Sequence, residues 1–248
     1  NPDKNPSCRP RGERSYMFRY LITNGSDGIK SYLISLLLSL PIILLSLSMH
    51  EMAHAWAASK LGDPTAKNLG RLTLNPMKHL NLPGFLCMLL FGFGWANPAP
   101  VNSRYFKKPR RDMALTAIAG PLSNLLLGFI FVSLYELSAL LISNILPASS
   151  AGIPMLAYVW IIFLQMGAQL NVYLAVFNLL PVPPLDGSRF FYIFLPAKWY
   201  FGVMKYEKYI MIALFALLWL GVLSIPLSWL SSLILNGMYG IWELLPIF

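Results

Sequence analysis

The chain is 248 residues long, with 56% apolar and only 12% charged residues and a mean hydropathy of +0.58. A soluble domain carries roughly 25% charged residues, so this composition excludes a cytosolic globular enzyme or a disordered tail and points to a protein solvated mostly by lipid. The net charge of +9 does not indicate nucleic acid. The 19 Lys and Arg gather as six in residues 1–30, nine in 60–112 and four from Arg189 to Lys208, beside apolar stretches, which is a topogenic pattern.

Residues 1–30 read as a basic N-terminal segment. Residues 1–16 are polar and rich in Pro and Arg, with no apolar core directly after them, so they do not resemble a signal peptide. Met17 offers a natural start. Residues 31–248 read as a single transmembrane domain. A spanning helix needs about 20 mainly apolar residues, and the first such stretch runs from about 31 to 58, interrupted by Pro41. The following segment, 60–112, is interfacial. Within it Arg71-Leu72-Thr73-Leu74 alternates with period two, Phe85–Trp95 is too short to cross, and the prolines around Val101 impose extended backbone. This pattern predicts a re-entrant apolar loop flanked by two short strands. The second and third spans occupy about 113–146 and 153–180, the latter ending at Pro181, Pro183 and Pro184. A fourth covers about 209–235, with Pro226 as an expected kink. The fold class is an all-α polytopic membrane protein with about four spans and a small membrane-associated β-strand or re-entrant region.

Charge sets the expected orientation. Loop 60–112 and the 180–209 connection are basic and the 146–153 turn carries no Lys or Arg, so the two basic loops belong on the cytoplasmic side of a cell membrane. Both termini then lie outside, which the basic segment before Met17 opposes. A start at Met17 leaves only Arg19 and Lys30 there and removes most of the conflict; an additional crossing is the other way out. Cys8 and Cys87 make no disulfide framework, and three His are too few for a membrane desaturase.

Ionisable residues inside spans are costly and therefore suspicious. The first span ends in Met49-His50-Glu51-Met52-Ala53-His54. Positions i and i+4 share a helix face, so His50 and His54 can hold one metal ion, with Glu51 beside the first ligand. This is the HExxH pattern of zinc peptidases, and the composition predicts on the order of 0.001 chance matches. A hydrogen-bonded histidine pair is the plainer alternative. Zinc needs a third protein ligand. Glu136, Asp186, Glu207 and Glu243 lie near apolar spans, and Asp186 is the best placed, because it follows helix-breaking prolines where unwound backbone faces protein or a wet cavity.

HEMAH in one span and Asn178-Leu179-Leu180-Pro181-Val182-Pro183-Pro184-Leu185-Asp186-Gly187 closing another resemble the two signatures of the site-2 protease family of intramembrane zinc metalloproteases, HExxH and NxxPxPxLDG. Ala119-Gly120-Pro121-Leu122-Ser123-Asn124 is similar to the small-residue opening of that family's central helix, and the likeness covers about residues 31–195. It implies one catalytic Zn2+ held by His50, His54 and Asp186, with Glu51 as general base and Asn178 near substrate or the developing oxyanion. A helix-terminal hydrogen bond is the plainer role for Asn178. The implied activity is hydrolysis of peptide bonds in or near transmembrane segments of membrane proteins in regulated intramembrane proteolysis. Implied partners are transmembrane protein or peptide substrates and the lipid bilayer; nucleic acid is not expected and a homo-oligomer is allowed. A substrate helix must unwind before hydrolysis, and an edge strand carrying Leu72, Leu74 or Val101 is expected to capture it by main-chain pairing. His79 reads as structural or lipid-facing, since a fourth ligand would close the site. No inserted recognition domain fits in 60–112, so substrate choice is expected to rest on the membrane domain or on separate partners. A catalytically inactive membrane binding module and a metal transporter are the competing classes. The intact Glu51 argues against the first, and the clustering of polar residues at one depth against the second.

Overall fold

The structure is a computed structural model. It describes residues 13–91, 96–145, 154–194, 202–203 and 205–244. The described chain is mostly helical: α1 Glu13–Lys60, α2 Thr65–Asn68, α3 Leu82–Phe91, α4 Pro109–Ile145, α5 Met155–Asn178, α6 Asp186–Phe191, α7 Glu207–Trp219 and α8 Ser224–Glu243. Among the described residues, three helical stretches are long and apolar enough to cross a membrane, Leu33–Lys60, Pro109–Asn144 and Met155–Asn178. They match the first three expected spans. At 1.5 Å per residue the 48-residue α1 is about 72 Å long, more than twice a ~30 Å hydrocarbon slab. It runs unbroken through residue 30 and through Pro41.

The burial pattern suits lipid rather than water. Helix α4 exposes Leu122, Leu126, Ile130, Leu134, Leu137 and Leu141, spaced three or four apart, while Asn124, Leu127, Phe131 and Val132 are buried on its other side. In water such a Leu/Ile stripe would be an unpaid apolar surface; in a bilayer it is the solvated face. The buried side packs on α5 through Leu164 and Ala168, and a second cluster joins Val172 and Val176 of α5 to Leu227 of α8.

The fourth expected span is not one helix. It divides between α7 and α8, and the break falls at Gly221 rather than at Pro226. Gly221 has φ +75°, a left-handed conformation that a glycine adopts without strain. Its N–H bonds the Leu218 carbonyl and the Val222 N–H reaches back to Leu217. Those two bonds are a Schellman ending, which closes α7. Pro226 is harmless because it lies in the first turn of α8, where the N–H it lacks would have had no helical partner.

The expected strands are also absent: no strand occurs among the described residues, and the one β contact is an isolated antiparallel bridge between Leu80 and Ala96. Residues 71–75, with Leu72 and Leu74, are irregular with a bend at 72–73, because side chains take the backbone groups a ladder would need. Thr73 Oγ1 accepts from Asn75 N–H, Asn75 Oδ1 from Met77 N–H, and the Thr73 carbonyl pairs with His79 Nε2 at 2.9 Å. Residues 97–102, with Val101, are irregular, and Pro98 and Pro100 remove ladder donors there. The apolar stretch expected to be re-entrant begins as α3, ten residues and about 15 Å long; residues 92–95, including Trp95, lie outside the described residues.

Candidate metal centre

Helix α1 brings His50, Glu51 and His54 to its buried side, all at 8% exposure or less. Asp186 comes from far along the chain. The prolines after Asn178 end α5, a tight turn with Val182 N–H on the Leu180 carbonyl reverses the chain, and α6 starts at Asp186. Gly187 allows that fold-back: a Cβ there would lie 2.2 Å from the Leu179 carbonyl oxygen.

The convergence is close. Asp186 Oδ2 is 3.0 Å from His50 Nε2 and 3.2 Å from His54 Nε2, and the two Nε2 atoms are 3.0 Å apart. Four-coordinate zinc with bonds of about 2.0–2.1 Å separates its ligand atoms by roughly 3.3–3.4 Å, so this triangle needs only a few tenths of an ångström of expansion. Two imidazole nitrogens and one carboxylate oxygen facing each other are the donor set of a catalytic zinc site with one open position. Among the described residues, this is the group of His, Cys, Asp and Glu side chains able to hold a metal ion.

Helix α4 holds one of the two imidazoles in that pose. His54 Nδ1 lies 2.8 Å from the Thr116 carbonyl of α4. Donation there leaves the Nε2 lone pair for a metal, the usual outer support of a ligating histidine. Glu51 Oε2 accepts the Ala99 N–H at 2.7 Å. Gly120 of α4 faces the two imidazoles, and a Cβ on it would lie 2.4 Å from His54 Nε2 and 2.7 Å from His50 Cε1. Only a residue without a side chain permits α4 to approach the histidines this closely.

Comparison with known proteins agrees with the geometry. The model of peptidase family M50 matches residues 39–221, which contain all of these groups. The chain belongs to peptidase family M50. Three relatives carry the name "Putative zinc metalloprotease": YwhC of Bacillus subtilis, Rip2 of Mycobacterium tuberculosis and MJ0611 of Methanocaldococcus jannaschii. YwhC is 50% identical over 164 residues, 66% of this chain and 72% of its own. Rip2 is 35% identical over 150 residues, 58% of this chain and 52% of its own. MJ0611 is 36% identical over 107 residues, 43% of this chain and 47% of its own, so the match spans about half the length of these two relatives. No solved structure matches the chain.

Within this M50 chain the remaining candidates separate clearly. Glu136 lies 16 residues beyond Gly120 on α4, about 24 Å along the helix, and is no ligand. His79 is buried at 1% exposure on the Thr73 carbonyl, which makes it structural rather than lipid-facing. Asn178 donates through Nδ2 to the Leu174 carbonyl at 2.9 Å, one turn back on α5, the helix-terminal bond that its sequence position also allows. Three contributors escape the motifs: Thr116 and Ala99 act through backbone atoms, and Gly120 through a missing side chain. For Gly120 the only available signal was its place in the small-residue run Ala119–Asn124.

Proposed function

We propose that this chain is an intramembrane zinc endopeptidase acting on peptide bonds in or near transmembrane segments of membrane proteins. The observation that carries the reading is the 3.0–3.2 Å triangle that Asp186 makes with His50 and His54, the two histidines lying on an apolar helix able to cross a bilayer. The names of the M50 relatives support zinc as the ion. When bound, zinc supplies Lewis acidity to the water and the scissile carbonyl. The residues do the rest. Glu51, adjacent to His50 and anchored through Oε2, takes a proton from the attacking water and returns it to the departing amine nitrogen. Asn178 keeps a second Nδ2–H besides the one given to Leu174, and we assign that hydrogen to the oxyanion of the tetrahedral intermediate.

The protein is multi-pass in this reading, with the site mouth at its basic, cytoplasmic face. His54 lies six residues, about 9 Å, from Lys60, and Thr116 a similar distance from Arg110 and Arg111, so water and charge reach the site from that end.

The test uses purified protein in lipid vesicles with a helical membrane substrate. Wild type cleaves it, and Glu51→Gln lowers turnover by about 10²–10⁴-fold with zinc content unchanged. Cleavage that survives Glu51→Gln overturns the mechanism.

A further inference from the structure

The segment Ala96–Asn102 has no regular secondary structure, yet it is fixed by hydrogen bonds at three places. At its start, Asn97 N–H donates to the His79 carbonyl at 2.7 Å, Asn97 Nδ2 to the Leu80 carbonyl at 2.8 Å, and Asn81 Nδ2 to Asn97 Oδ1 at 3.0 Å. At its middle, Ala99 N–H donates to Glu51 Oε2. At its end, Asn102 N–H donates to Asp63 Oδ2 at 2.6 Å. Asp63 is fully buried, three residues beyond the end of α1, and its other oxygen accepts both the N–H (2.9 Å) and the hydroxyl (2.5 Å) of Thr65. A buried carboxylate held only by neutral donors is costly unless every partner is in place. The Asp63 N–H donates to the Ala58 carbonyl at 2.9 Å, so Asp63 ties the last turn of the metal-ligand helix to the segment that crosses Glu51.

We infer that Ala96–Asn102 is a positioning strap for the catalytic base: the Ala99 amide orients Glu51, and Asp63 is a positioning residue that sets the register of that amide. The inference rests on the endopeptidase reading. A glutamate has three side-chain torsions, and an amide hydrogen on Oε2 selects the orientation in which Oε1 remains for the water. The strap is anchored on both sides of Ala99 by buried or half-buried groups, which suits a fixed support and not a lid that must lift. Pro98 and Pro100 stiffen the flanks and leave Ala99 the N–H between them.

The experiment removes that hydrogen. Ala99→Pro keeps an extended backbone but has no N–H; it lowers kcat by about 10–100-fold, with KM within about twofold and zinc content equal to wild type. Ala99→Gly, which keeps the N–H, recovers most of the kcat lost with proline. Asp63→Asn, whose amide cannot accept at both positions, lowers kcat in the same direction by a smaller factor. Amide hydrogen exchange supplies a readout independent of cleavage. Because Pro98 and Pro100 carry no amide, a peptide over this segment reports Ala99 with few others, and its exchange accelerates in Glu51→Ala relative to wild type. A raised KM with kcat unchanged in Ala99→Pro would show the strap to be a substrate-docking segment, and a raised kcat would show it to be autoinhibitory; either overturns the inference, as does unchanged kinetics. Equal exchange at Ala99 in wild type and Glu51→Ala, where wild type cleaves the substrate and Glu51→Gln does not, overturns this inference alone. Cleavage that survives Glu51→Gln overturns the endopeptidase reading and the inference with it.

Discussion

Adding one methyl group at Gly120 tests the metal centre without touching any ligand. An alanine Cβ there would sit 2.4 Å from His54 Nε2, 2.5 Å from His54 Cε1 and 2.7 Å from His50 Cε1, where van der Waals contact needs about 3.5–4.0 Å. About 1 Å of overlap must be relieved. His54 cannot simply retreat, because its Nδ1 is held by the carbonyl of Thr116, one turn from Gly120 on α4. Relief therefore separates α4 from α1 or rotates the imidazoles off the ligand triangle. Overpacking of this kind costs about 1–3 kcal/mol. If that strain falls on the metal-bound state, it becomes about 5- to 150-fold in zinc affinity at ~1.4 kcal/mol per decade. The assay is competitive zinc titration of purified protein, with substrate cleavage measured alongside at saturating zinc. Gly237→Ala is the control, since a Cβ there meets nothing within 4 Å; it leaves both quantities at wild-type values. Wild-type zinc affinity in Gly120→Ala would refute the close packing of α4 on the two histidines.

Three further outcomes follow from the same geometry. Gly187→Ala puts a Cβ 2.2 Å from the Leu179 carbonyl oxygen and so pushes Asp186 out of the triangle; inductively coupled plasma measurement on purified protein shows zinc well below one ion per chain. Removing His79 breaks a buried contact to the Thr73 carbonyl, so His79→Ala loses about 1–3 kcal/mol of stability in a detergent melt and keeps its full zinc content. In Asn178→Ala, loss of the assigned oxyanion donor lowers kcat by about 10²–10³-fold with zinc binding intact; a kcat near that of wild type would leave Asn178 its helix-terminal bond alone.

The site was more legible than the scaffold around it. HExxH is a helical pattern with a fixed i, i+4 consequence, so His50 and His54 could be placed on one face from spacing alone, and the prolines before Asp186 marked where a carboxylate could leave helical geometry. The three long spans declared themselves through hydropathy. Residues 71–75 did not follow their alternation, because Thr73 and Asn75 cap local turns and outcompete a ladder, a choice that period-two hydrophobicity does not encode. The break in the last apolar stretch was misplaced for a similar reason. Pro226 is conspicuous but innocuous in a first turn, whereas Gly221 ends α7 through two backbone bonds that no composition window shows. Thr116, Ala99 and Gly120 serve the site through a carbonyl, an amide and a vacancy, features every residue type or none could supply, so only tertiary structure reveals them.

Zinc-edge X-ray absorption on the purified protein reads the ligand set directly. Wild type should show two imidazoles and oxygen donors at about 2.0–2.2 Å with no sulfur, and Asp186→Ala should lose zinc or replace one oxygen shell by solvent with markedly weaker retention. A thiolate shell near 2.3 Å, or an unchanged spectrum and undiminished zinc in both His50→Ala and Asp186→Ala, would contradict the convergence of these three side chains on one ion.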